Sequence, residues 1–338
     1  MRTAAVGQSD ERDDERGVGA TRRSLPALGL FFLSPLVAEF LLGKIPISAL
    51  FALLGLAPLY GGGAVLIREV VRRRGWGCPS VVILALAYGV LEEGVTTQSL
   101  FNPNYADQRL LDQRHIGFLG MGAPWTVFVL GLHTVWSITV PIVLIESMSR
   151  RPREPWLGKI GLSVYVALFV VGIVATTAIQ LGTDSFVASP AQFAGVAVAI
   201  VVLVVIAARI GRRPRRRTAG AVPPVWLGAV AGLVVSSGWM LTSDMVKNGW
   251  LGAAMMLVID VVAAAALVYC SRRTGWTQKH AMAVAGGTLL TYAWHAFPEE
   301  PIFAASHTVD LIGNTIFALL AVALLVSATI RCDKSSYS

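Results

Sequence analysis

The chain alternates long apolar runs with short charged ones. From residue 25 onward, ten apolar runs occupy roughly 25–43, 46–70, 79–100, 124–147, 160–182, 190–209, 222–243, 249–270, 280–297 and 302–330. Each reaches the length of about 18 residues that a helix needs to cross a bilayer. The pattern predicts an all-α, polytopic membrane bundle of about ten transmembrane helices over residues 25–331. A polar cytoplasmic tail without apolar periodicity is expected at 1–24, and a short one at 332–338.

The cations test this count. With the N-terminus inside, Arg72–Arg74, then Arg150, Arg151, Arg153 and Lys159, the six arginines between Arg209 and Arg217, then Arg272, Arg273 and Lys279 all fall in cytoplasmic turns. Arg22, Arg23, Arg331 and Lys334 flank the ends on the same side. The outer turns hold Lys44, Arg109, Arg114 and Lys247 alone. This alternation without inversion predicts an N-in, C-in topology in a bacterial cytoplasmic membrane.

Composition agrees. Of 338 residues, 55% are hydrophobic and 14% charged, against about 25% charged in soluble domains, which excludes a soluble globular chain of this size. The net charge of +8 sits where it retains cytoplasmic loops, so no nucleic-acid partner is expected; the lipid bilayer is. Cys78, Cys270 and Cys332 show no metal or disulfide spacing and fall on the reducing side. Pro58, before the Gly61–Gly63 run, is expected to break or kink the second span, and Gly228-x-x-x-Gly232 suits close helix packing.

Against this background the polar residues inside the spans stand out. The segment AYGVLEEGVTTQSLFNPNY (87–105) puts Glu92 and Glu93 in the outer part of span three. Glu39 lies in the outer third of span one, His133 and Ser137 in span four, His295 and Glu299 at the outer end of span nine, and His307 and Asp310 at the outer start of span ten. An ionised carboxylate at a span centre costs about 2.5–3.5 kcal/mol on insertion scales. Gathering at one depth predicts an outward-facing polar cavity. Asp260, near the middle of span eight, is the exception, and Arg68 and Glu69 are placed to snorkel or pair at the inner end of span two.

Helix geometry sets neighbours about 100° apart, so Glu92 and Glu93 are expected to diverge, one lining the cavity and the other pairing with an adjacent helix. His295 with Glu299, and His307 with Asp310, have spacings open to a hydrogen-bonded dyad or a ligand pair. With no H-E-x-x-H motif, no metal and no cofactor is expected. The long outer loop 101–123 is a candidate lid. These residues by themselves fit a small-molecule or proton-coupled transporter; a non-catalytic membrane partner or immunity protein is a further possibility.

ALAYGVLEEG, with VFVLGLHTVWS in the next span, resembles the CAAX protease and bacteriocin-processing family of intramembrane proteases. The resemblance implies a glutamate-dependent protease acting on a peptide, with Glu92 as the water-activating base, Glu93 as its partner and His133 as oxyanion stabiliser. The arginine of the family's EExxxR motif is Thr97 here, Phe128 and His133 are one residue further apart than in FxxxH, and His133-x-x-x-Ser137 only approaches the His-x-x-x-Asn pattern.

Overall fold

The computed structural model describes residues 24–214 and 216–334. Among these, ten long helices appear, one in each predicted run: α1 (Ser24–Phe40), α2 (Ala52–Arg73), α3 (Cys78–Thr96), α4 (Ala123–Met148) and α5 (Lys159–Thr183). They continue with α6 (Pro190–Arg212), α7 (Val225–Met245), α8 (Gly249–Ser271), α9 (Gln278–His295) and α10 (His307–Lys334). The predicted tail at 1–24 lies outside the described residues except for Ser24, which begins α1. At the other end α10 runs on through a buried Cys332 to Lys334, past the predicted boundary.

Eight helices, α2 to α8 and α10, are long and apolar enough to cross a membrane; α1 is shorter. Helix α9 has 18 residues but buries Thr288, Thr291, Tyr292 and His295. It packs against α7 and α10, so protein shields its polar groups from lipid. By contrast, only 6% of the α5 window and 11% of the α6 window are buried, against 61% in α2. The rows of exposed valine on α5 and α6, such as Val171, Val174, Val201 and Val205, suit a lipid-facing surface.

Two apolar cores hold the bundle. One joins Leu59, Val65, Tyr88 and Ile142 of α2, α3 and α4 with Leu30 of α1. The other joins Phe40, Trp136, Trp239, Leu289 and Phe317 of α1, α4, α7, α9 and α10. Small residues permit the closest crossing: a Cβ on Gly287 of α9 would stand 2.0 Å from the Ala229 carbonyl oxygen of α7, and one on Gly232 would stand 2.3 Å from that of Val284. Backbones this close leave no room for a side chain. Pro58 does not break α2, which runs uninterrupted around it.

The arginine-rich end is sealed by a buried ion network. Arg68 and Glu69 pair and do not snorkel; both are fully buried. Arg68 donates to Glu69 (2.8 Å), Glu146 (3.1 Å) and the Pro152 carbonyl (2.9 Å), and its guanidinium lies 3.4 Å from the Trp156 ring centre. Arg72 binds both oxygens of Glu146 at 2.6 Å, and Arg73 reaches Glu69 at 3.0 Å. Every charge in it has an opposite partner, which repays desolvation. At the same end Thr218 bridges to the turn at Arg272–Thr274.

The opposite end carries the 97–122 loop. It contains a small antiparallel hairpin, β1 (His115–Ile116) with β2 (Met121–Gly122). The loop is tied to the α5–α6 connection: Asn102 donates to Asp184, and the Gln98 side chain accepts from Ala188 at 2.7 Å.

Candidate functional site

Three of the helices contain a π-helical turn: Leu36–Phe40 in α1, Glu92–Thr96 in α3 and His133–Thr139 in α4. Each turn carries polar residues singled out in the sequence, namely Glu39, then Glu92 and Glu93, then His133 and Ser137. A π turn holds an extra residue and is often found at functional sites. Its causes here are local. In α4, Pro141 lacks the N–H that would reach the Ser137 carbonyl, and Ser34 of α1 donates its hydroxyl to that carbonyl at 2.5 Å. In α3, the Thr96 and Thr97 hydroxyls and the Thr97 N–H all donate to the Glu92 carbonyl at 2.6, 3.1 and 2.9 Å.

The structure corrects the expectation that Glu92 and Glu93 diverge. Both reach His133: Glu93 Oε1 lies 2.6 Å from its Nε2, and Glu92 Oε2 lies 3.1 Å from its Nδ1. A π turn narrows the angle between neighbours only modestly; the long glutamate side chains meet because the imidazole lies between them and offers each a different nitrogen. All three residues are deeply buried, at 2%, 5% and 6% exposure for Glu92, Glu93 and His133.

The two carboxylates differ in their bonding. Glu93 is saturated: Oε2 accepts from Thr97 at 2.9 Å and from Ser99, and Oε1 faces His133. Ser99 is itself held by the Trp125 indole N–H at 3.1 Å. Glu92 Oε2 makes no hydrogen bond, being out of line with His133 Nδ1, which faces the Ser137 hydroxyl at 3.1 Å. The rings of Tyr60 and Tyr88 flank His133, with centres 5.9 and 6.1 Å away, and the Tyr60 hydroxyl donates to Glu39 at 2.5 Å.

The site forms the floor of a cavity of about 820 Å³, lined by Glu39, Tyr60, Glu92, Glu93, His133 and Ser137 among others. Tyr105, Arg109 and Gln113 of the 97–122 loop form one wall. Burial, reinforced by the carboxylates of Glu93, Glu39 and Glu92, holds the Tyr105 phenol far above its ordinary range, so it remains a hydrogen-bond donor.

Glu92, Glu93 and His133 each present a ligand atom within 4.8 Å of the others, which is the donor set a divalent cation takes. Of these atoms Glu92 Oε2 is the least tightly held, 3.1 Å from His133 Nδ1. A cation binding all three would have to part His133 from Glu93.

The other predicted residues divide. His295 belongs to a second cluster, its Nε2 2.9 Å from Asp244 and its Nδ1 3.3 Å from Glu299, which also pairs with Lys44. Asp244, Glu299 and Lys44 line the cavity nearer its mouth; His295 stands behind them. His307 and Asp310 do not join the cavity. His307 is exposed, and Asp310 accepts from Asn314 at 3.3 Å, because α10 starts outside the ring of cavity helices. Sequence reasoning missed Tyr60, Ser99 and Asp244. Tyr60 reads as an apolar residue of a glycine-rich span, and Asp244 as a solvated turn residue beside Lys247.

Fold and cavity together define a multi-pass helical membrane protein with a polar interior site. A family model described as an uncharacterized membrane protein family matches residues 28–336, and the chain belongs to that family. No curated protein and no solved structure gives a match.

Proposed function

We propose that this protein is a membrane-embedded, glutamate-dependent hydrolase of amide bonds, similar in its chemistry to the CAAX protease and bacteriocin-processing enzymes. The observation that carries the reading is the asymmetry of the pair: Glu93 is locked by Thr97, Ser99 and His133, while Glu92, which also lines the cavity, is held more loosely, its Oε2 3.1 Å from His133 Nδ1. A loosely held carboxylate beside an oriented imidazole is what water activation requires.

In this mechanism a water sits between Glu92 and the substrate carbonyl. Glu92 takes a proton as the water oxygen bonds to the carbonyl carbon. His133, whose Nε2–H donates to Glu93, acts in this scheme as an imidazolium, so that Nδ1 also carries a proton and donates it in a hydrogen bond to the developing oxyanion, and the Tyr105 phenol supplies a further donor from the loop wall. Glu92 then returns the proton to the amide nitrogen as the C–N bond breaks, giving a carboxylic acid and an amine. The arginine distribution orients the cavity away from the cytoplasm, in a bacterial cytoplasmic membrane.

A second reading is a proton-coupled transporter of a small molecule. It is favoured by the polar groups Glu39, Tyr60, Glu92 and His133, contributed by the four helices α1 to α4. Reconstitution separates the two. The hydrolase cleaves membrane-associated peptides without a pH gradient, and cleavage is lost in Glu92→Gln. Solute uptake that depends on a pH gradient, with no cleavage, selects the transporter.

A further inference from the structure

A second histidine sits between two carboxylates near the mouth of the cavity, and the hydrolytic scheme does not use it. His295 ends α9 and is only 2% exposed. Its Nε2 stands 2.9 Å from Asp244 Oδ2, at the end of α7. A carboxylate only accepts, so Nε2 carries the hydrogen. Nδ1 faces Glu299 Oε1 at 3.3 Å, yet it is buried and makes no hydrogen bond. In a neutral ring that nitrogen is a bare lone pair pointed at a carboxylate, and the two repel. The arrangement is one proton short.

The segments it joins frame the mouth. Asp244 follows Thr242 and Ser243 on the cavity wall, and Glu299 leads Glu300, Pro301 and Ile302 there. The Ile302 N–H donates to the Lys44 carbonyl at 2.9 Å, and the Lys44 ammonium pairs with Glu299, which ties the α1–α2 connection to the same point. The charged groups about the ring are thus Asp244 of α7, Glu299 and Glu300 after α9, and Lys44 after α1. Glu39 of α1 lies deeper; on α10, Asp310 accepts from Asn314, whose amide also donates to the Ala296 carbonyl.

We infer that His295 is a pH-operated clamp on the cavity mouth. When the imidazole takes a second proton, at Nδ1, it donates to Glu299 while Nε2 still donates to Asp244. The connection after α9 is then drawn to the end of α7, and the mouth narrows. When that proton leaves, Glu299 is held by Lys44 alone and the mouth loosens. Histidine is the side chain that ordinarily changes charge between about pH 5 and 8, so the clamp closes as the medium acidifies. Entry through the mouth is needed whether the site cuts or carries, and the clamp acts in either case.

The test follows access to the cavity in the full chain, in lipid nanodiscs. Thr242→Cys places a thiol on the buried cavity wall, and Lys247→Cys places one on the exposed turn beyond it. Labelling by N-ethylmaleimide is read at each position by peptide mass spectrometry, and the ratio of the two rates removes the effect of pH on thiol reactivity. With His295 in place the ratio is expected to fall about ten-fold between pH 8 and pH 5.5, as one added charge-assisted hydrogen bond would give. His295→Gln, whose amide can still donate to Asp244 but takes no proton, should make the ratio independent of pH. Glu299→Gln removes the second acceptor with His295 intact and should flatten it as well, so the clamp stays testable if one variant fails to fold. A ratio that does not change with pH when His295 is present overturns the inference. So does an equal fall in either variant, since the closing charge would then lie elsewhere.

Discussion

His133 Nε2 and Glu93 Oε1 stand 2.6 Å apart although 40 residues separate them in the chain. This contact joins two π turns in adjacent helices, and it fixes which edge of the imidazole faces the cavity. Glu93 is thereby a positioning residue, and Glu92 the reactive one.

The two glutamates should therefore respond differently to the same change. Glu93→Ala leaves His133, Thr97 and Ser99 without their acceptor and is expected to destabilise the fold by about 3 kcal/mol, in the range for breaking a buried pair. Glu92→Gln keeps the shape of the side chain and weakens only the longer, 3.1 Å contact with His133 Nδ1, and should shift stability by less than about 1 kcal/mol. Thermal unfolding of both variants in the same detergent checks the order. Equal losses would show that the pair acts as one structural unit.

The arginine-rich end provides a control remote from the cavity. Arg68→Ala removes the buried cation that links Glu69 to Glu146, leaves them to Arg73 and Arg72 alone, and should cost about 3 kcal/mol. Its effect falls on stability and expression, while cleavage per folded molecule stays near that of the wild type. Melting curves and activity normalised to folded protein test both halves of the statement.

Helix packing depends on the crossing of α7 and α9. Gly287→Ala places a methyl group 2.0 Å from the Ala229 carbonyl oxygen, so the helices must separate. Overpacking costs about 1–3 kcal/mol, and Gly287→Leu should abolish folding. A fluorescent-detection size-exclusion profile distinguishes a folded peak from aggregate.

Tyr105 gives a pH dependence with a defined sign. Its folded-state pKa lies far above the unfolded value of about 10. The folded state therefore holds a proton that the unfolded chain releases above pH 10. Stability from this group is complete below about pH 10 and declines as pH rises through the alkaline range. Tyr105→Phe should flatten the fall in melting temperature between pH 9 and 11.5. An unchanged slope would show that the Tyr105 phenol is solvated.

Most of the fold was legible because bilayer crossing imposes length and hydropathy on each helix, and the ten predicted runs each hold one. Helix α9 was legible as a run, but its polar residues are tolerated only through burial against α7 and α10, which no local pattern reports. In the site, Glu92, Glu93 and His133 were legible as costly residues at one depth. Their convergence was not, because it depends on the His133 imidazole of the next helix lying between the two glutamates. His307 and Asp310 shared that depth yet stand apart, since depth along the membrane normal says nothing about position around the bundle. Tyr60 was hidden because a tyrosine in an apolar span looks like packing until the glutamate beneath it is known.

The central claim is that Glu92 activates water. The most direct measurement is the cleavage rate of a membrane-associated peptide by reconstituted wild type and Glu92→Gln at equal folded concentration, in water enriched in oxygen-18. The account predicts one heavy oxygen in each new carboxylate, and a fall in rate of about 10²–10⁴-fold in the variant at nearly unchanged melting temperature. Cleavage that persists undiminished in Glu92→Gln would contradict it.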